Sequence, residues 1–267
     1  MTRSVGGRRA IDMGTFFGPT LLLLLAFFAL PVVGLLLRSV LEPTLGLSNY
    51  AELFASSTYA RVVFNTFYIS AMVTIIAVVI GFPIAWLLAV LPGRWPQILL
   101  AVIILSMWTG LLTRTYAWMI LLQRTGLINK FLVATGLTSS PLALVNNSTG
   151  VIIGMVYIML PFIILPLLAK IRAIDPSILR AAALCGGNRW QCFHNVLLPL
   201  AVPGIAAGAL MVFVMSLGYF VTPALLGGAS SMMLAELIVQ LIQSLTNWGL
   251  GGAAAFVLLV ATLFLYM

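Results

Sequence analysis

One histidine, two cysteines and five carboxylic acids make up the chain's whole set of imidazole, thiol and carboxyl groups. His194, Cys185 and Cys192 share one polar stretch. A Cys192–His194 pair falls short of a metal-binding set, so the thiols read as free, reduced side chains. An enzyme embedded in a membrane needs a nucleophile with a base, or a metal set, and no such arrangement can be assembled. No glycine-rich phosphate loop is present either. Catalysis is therefore not expected. The acids Asp12, Glu42, Glu52, Asp175 and Glu236 all fall outside the centres of the apolar runs. A proton- or sodium-coupled carrier would lack its usual intramembrane relay.

Polar and aromatic residues inside the apolar runs suggest a different chemistry. Arg114 lies in WTGLLTRTYAW, between Trp108 and Trp118. It reads either as a cation snorkelling from a span end or as one anchoring a pore. Asn65, Ser70 and Thr74 recur at helical spacing, Tyr157 precedes Pro161, and Ser216, Tyr219 and Thr222 cluster before Pro223. Side chains of this kind sit in a membrane where they face protein or a water-filled path. Together they outline a weakly polar, aromatic-edged pathway with Trp108, Arg114, Tyr116, Tyr157, Ser216, Tyr219 and Thr222 as its candidate residues. Helix packing is the other reading for each one. For the aromatic residues, anchoring at the membrane faces is a further alternative.

The elements that must carry these residues are membrane spans. Hydrophobic residues make up 63% of the 267 and charged residues only 7%, against about 25% charged in soluble domains. The fold class expected is an all-α membrane protein in a single domain over 1–267. Its six spans are expected near 16–37, 64–91, 98–122, 149–169, 201–226 and 247–267, with a polar connection over 170–199. The first apolar run is longer than the core of a signal peptide and is read as a span. The last ends at Tyr266-Met267 without a polar flank, which fits either a helix stopping at the membrane face or a longer chain. A net charge of +8 is read as orientation rather than nucleic-acid binding. Arg3, Arg8, Arg9, Arg94, Lys170, Arg172, Arg180 and Arg189 fall on one side, and Arg38, Arg61, Arg114, Arg124 and Lys130 on the other. That bias puts the N-terminus and the 170–199 connection in the cytosol.

Within this connection, Asp175 to Pro199 is built like two short helices joined by a turn. Asp175 is a cap followed by Pro176, which needs no N–H donor at a first helical position. Gly186-Gly187 allows a left-handed stop. Asn188 can cap a second helix carrying Trp190, Phe193, Val196 and Leu197, which Pro199 is expected to end.

This stretch resembles the cytoplasmic coupling motif of inner-membrane permeases in binding-protein-dependent ABC importers: Glu-Ala-Ala, three residues, Gly, nine residues, then Ile-x-Leu-Pro. Ala181 and Ala182 stand as the alanines, Gly186 as the glycine and Leu198-Pro199 as the close. Val196 replaces isoleucine and Arg180 stands where the family usually has glutamate. The strings WTGLLTRTYAWMILL, GLIN, GMVYIMLPFIILPL and SLGYFVTPALLGG are similar to the spermidine/putrescine branch, nearly throughout the chain after residue 15.

The resemblance implies a type I importer permease fold in a bacterial inner membrane. It implies coupling residues Arg180, Ala181, Ala182, Gly186, Gly187, Asn188, Leu198 and Pro199, which meet a dimer of ABC ATPases. It further implies a second permease subunit, a periplasmic solute-binding protein, and ATP with magnesium held by the ATPases rather than by this chain. The solute implied is a polyamine. An opine or amino-acid derivative carried by the same machinery is the alternative, and an autonomous channel or secondary carrier a more remote one.

Overall fold

The computed structural model describes residues 13–266, with side chains from 18 to 265. Arg3, Arg8, Arg9, Asp12 and Met267 lie outside the described residues. Helix is the dominant structure, as an apolar chain in lipid requires, because each helix satisfies its own backbone hydrogen bonds. The elements are α1 (Gly18–Leu41), α2 (Ser48–Ala55), α3 (Ser57–Val90), α4 (Trp95–Trp108), α5 (Leu111–Leu122) and α6 (Leu127–Ala134). They continue with α7 (Ser148–Arg172), α8 (Pro176–Leu184), α9 (Arg189–Leu217), α10 (Val221–Leu226), α11 (Leu234–Gln243) and α12 (Trp248–Tyr266). Five helices are long and apolar enough to cross a membrane, and six if the bent pair that begins with α4 is one span.

Helix α7 is the centre. It packs against both α3 and α9, which also pack on each other, and it buries residues around most of its circumference, from Val151 to Ile171. Glycines set how closely the three helices approach. A Cβ on Gly81 of α3 would stand 2.6 Å from Ile163 Cγ2, and one on Gly208 of α9 would stand 2.6 Å from Ile163 Cδ1. Ile163, fully buried, is thus wedged between two bare backbones. Between apolar helices in lipid, packing of this kind supplies the contact energy that the hydrophobic effect provides in water. A second apolar cluster joins Leu53 of α2 and Val62 of α3 to Leu234, Leu237 and Leu241 of α11 and Leu250 of α12.

The structure departs from the sequence reading at three breaks. The span expected over 98–122 is two helices, bent by 100°. Thr109 and Gly110 adopt extended ψ values of 140° and 139°, which interrupts the backbone ladder. The 14 residues of α4 then reach only about 21 Å at 1.5 Å per residue. The span expected over 201–226 stops at Leu217, with α10 a separate short helix beyond Gly218. Pro199 ends nothing: α9 runs on through it. A π turn at Phe193–Leu197, closed by the Leu198 N–H to Phe193 O, widens the helix just before the proline. The widening relieves the clash between the ring and the carbonyl a turn behind. The same pairing occurs in α1, where a π turn at Leu25–Ala29 precedes Leu30-Pro31.

Two glycine-to-alanine changes should have opposite signs. Nothing lies within 4 Å of a Cβ at Gly34, so Gly34→Ala should stabilise by up to about 1 kcal/mol through helix propensity. Gly81→Ala should destabilise by about 1–3 kcal/mol, because the β-branched Ile163 cannot yield. Thermal unfolding of the detergent-solubilised protein measures both.

Candidate functional site

Two regions at opposite ends of the helices gather the candidate residues. At the end where α3, α7 and the start of α9 meet, the helix-turn-helix stands out as a separate unit. Asp175 caps α8 by accepting the Ser177 N–H at 2.8 Å. Hydrogen bonds from Ser177 hold its carboxyl below the usual carboxylate range, with a further contribution from Arg180. Gly186 has φ of +86°, a left-handed position natural for glycine. Gly187 lies close to α8: a Cβ there would stand 2.9 Å from Ala182 O. Asn188 and Gln191 form a reciprocal capping box at the start of α9. Phe193 then pins the unit to α3, with its ring centroid 5.8 Å from Phe82, 5.7 Å from Trp86 and 5.8 Å from Trp190.

The outward side of this unit is bare. Leu184 is 89% exposed and Trp190 70%. Arg180 is also exposed, its Nε donating to Pro176 O at 3.4 Å. Ala181 is exposed and Ala182 half-buried beside Gly187. An apolar hollow of about 710 Å³, lined by Trp86, Leu179, Trp190 and Phe193 among others, opens between α3 and the two arms. Leu198 and Pro199 lie inside α9, so the second arm and the span are one continuous helix. This differs from the expectation of a second helix ended by Pro199.

At the opposite end, the break after α4 brings four of the seven pathway candidates together. Arg114 lies on the first turn of α5, and Tyr219 lies within electrostatic reach of it and of Thr222. The Thr222 methyl closes on Gly154 of α7, where a Cβ would stand 2.9 Å away. One turn along α7, the Tyr157 ring stands 5.4 Å from Trp118. Arg114 Nε, Tyr219 Oη and Thr222 Oγ1 are shielded from solvent and have no hydrogen-bond partner within the chain. Ser216 Oγ is likewise unpaired but sits in α9, before the break. Trp108 and Tyr116 do not join the cluster; they are 86% and 47% exposed.

The polar residues of α3 have a different task. Asn65 Nδ2 donates to Ser230 O at 2.7 Å, and Thr66 Oγ1 accepts the Leu234 N–H at 2.7 Å. These bonds fasten the segment that leads into α11. Thr66 belongs to no motif in the sequence, and Glu236 is there only an acid outside the spans. Glu236, Gln240 and Gln243 follow the spacing i, i+4, i+7, which puts them on one face of α11. That period was present in the sequence. Among the described residues, no group of three or more His, Cys, Asp or Glu could hold a metal ion.

This geometry defines a class: a multi-pass α-helical membrane protein with an exposed helix-turn-helix whose second arm is continuous with a span. The model of the family described as binding-protein-dependent transport system inner membrane component matches residues 52–267, and the chain belongs to that family. It is 37% identical over 223 residues to the spermidine/putrescine transport system permease protein PotB of Haemophilus influenzae, covering 82% of this chain and 78% of that one. It is 34% identical over 214 residues to PotB of Escherichia coli, covering 80% and 78%. Its fold is that of the permease in a bacterial alginate ABC transporter solved in complex with its alginate-bound periplasmic protein. The TM-score is 0.76 at 20% identity, over 94% of this chain and 91% of that one. The fold is thus the type I importer permease, and the chain is a permease component of a binding-protein-dependent importer.

Thiol labelling checks the aromatic pin. Cys185 is exposed and Cys192 partly covered, so Cys185 should react faster. Phe193→Leu removes ring contacts worth about 0.5–1.5 kcal/mol each and should bring the Cys192 rate up toward that of Cys185.

Proposed function

We propose that the chain is the non-catalytic half of an ATP-driven import path for a polyamine, paired with a second permease subunit. A periplasmic binding protein delivers the solute. Two ABC ATPases, which hold ATP and magnesium, each receive one coupling element; the element of this chain is the unit from Asp175 to Pro199. The observation that carries this reading is the exposed apolar tip, Leu184 at the end of α8 and Trp190 in the first turn of α9, the helix that runs on to Leu217. A tip of this kind suits a groove on a partner. A continuous helix transmits displacement that a flexible loop would absorb. Coupling requires different contacts in two states, and the hollow beneath Trp190 leaves room for the tip to shift. The polyamine assignment draws on the likeness to the two PotB proteins, whose names give spermidine and putrescine as their cargo.

In this reading the coupling end faces the cytosol, together with the N-terminus. Among the described residues, Arg94, Lys170, Arg172, Arg180 and Arg189 lie toward that end and Arg38, Arg61, Arg114, Arg124 and Lys130 toward the other. The two groups are equal, so the charge bias comes from Arg3, Arg8 and Arg9. Arg180 is the coupling residue that meets an acidic position on the ATPase.

Uptake by intact cells or by proteoliposomes holding the complete transporter tests the assignment. Gly186→Pro should abolish ATP-driven polyamine uptake while the protein still inserts in the membrane. Full uptake by that variant, or by a chain lacking 180–189, would sink the reading. Arg180→Glu should lower uptake at least several-fold, and a compensating charge reversal on the ATPase should restore it.

A further inference from the structure

Helix α11 has two contrasting faces. Leu234, Leu237 and Leu241 are buried against α3 and α12 in the second apolar cluster. On the other face, Gln240 and Gln243 are exposed and Glu236 is half-buried. The helix lies at the end of the molecule away from the coupling unit, between the last two spans. Its ten residues are too short to cross a membrane. Exposed amides do not face lipid hydrocarbon at low cost, so this stripe borders water or a polar partner.

Glu236 is the unusual member of the stripe. Its Oε2 is shielded from solvent and has no hydrogen-bond partner. Among the described residues the ion pair is Arg38–Glu42 at 3.7 Å, and no cation compensates Glu236. Burial pushes its carboxyl above the usual range, while the Met233 N–H acts in the opposite direction. As the third residue of α11, its carboxyl can cap the helix start through that N–H, which leaves the second oxygen without a task. A shielded carboxylate without a counter-charge is costly, and an alkylammonium group would remove that cost with a charge-assisted hydrogen bond.

We propose that Glu236 is the residue of this subunit that receives an ammonium group of the cationic solute, at the mouth of the path away from the coupling end. Gln240 and Gln243 extend the polar track by one and two turns. The site rests on the polyamine reading above and supplies the carboxylate that the Arg114 cluster lacks. Asn65 and Thr66 position it by fixing the segment that begins α11 to α3.

The experiment measures polyamine uptake by the complete transporter as a function of binding-protein-delivered solute, for wild type, Glu236→Gln and Glu236→Asp. Glutamine keeps the ability to cap the helix start, so a purely structural role predicts no change. The site predicts a half-saturating concentration raised about tenfold to a hundredfold in Glu236→Gln, with maximal rate and membrane amount close to wild type and a smaller rise in Glu236→Asp. A second measurement places a cysteine at Gln240 in a chain with Cys185 and Cys192 replaced by serine. Saturating spermidine should slow its labelling by a membrane-impermeant thiol reagent. Wild-type polyamine uptake with an unchanged Glu236→Gln response overturns this site and leaves the solute assignment intact. Uptake of only uncharged or anionic solutes overturns the solute assignment and the site with it.

Discussion

The fit of Ile163 between Gly81 and Gly208 is the constraint on which the remaining packing depends. Three apolar helices in lipid gain little by hiding hydrophobic surface from one another, so their association rests on contact. Contact at this junction needs two positions without side chains and one stiff, branched side chain to fill the gap. Once α3, α7 and α9 are locked there, Arg172 at the end of α7 donates to Leu88 O near the end of α3 at 3.3 Å. At the other end, Thr222 and Leu226 of α10 close on Gly154. The helix-turn-helix and the polar cluster are thus both referred to one rigid centre.

The parts of the fold legible in the sequence were those encoded by local chemistry. Asp175, Pro176, Gly186 and Asn188 each act within a few residues of themselves, through a cap, a fixed φ or a left-handed turn, and all four occupy those roles. The breaks were less legible because they depend on context. Thr109-Gly110 interrupts a ladder, whereas Gly81 and Pro83 lie within the 34-residue helix α3 and do not interrupt it. Pro199 has the chemistry of a stop, yet a π turn absorbs it, and no residue type announces such a turn. Glu236 was hidden for another reason. Its membership of a polar stripe could be counted from the sequence, but only the structure shows that one oxygen has lost access to water.

The far end of the molecule separates two kinds of polarity. Arg114, Tyr219 and Thr222 leave a guanidinium nitrogen and two hydroxyl oxygens unpaired around the break in the third span. Glu236 presents an acceptor on another element, fastened to α3 rather than to α7. These unsaturated groups are dispersed over α5, the junction of α9 with α10, and α11 rather than gathered at one point.

The unbroken course of α9 also has a geometrical consequence. Gly208 lies nineteen residues from Arg189 and nine from Leu217, which correspond to about 28 Å and about 14 Å along the axis. Helix α9 is therefore a lever of unequal arms, held near Ile163. A sideways step of the Arg189 end about that fulcrum reaches Leu217 at roughly half the amplitude and in the opposite sense. The two ends of α9 are thereby tied to one pivot, and neither can shift sideways alone.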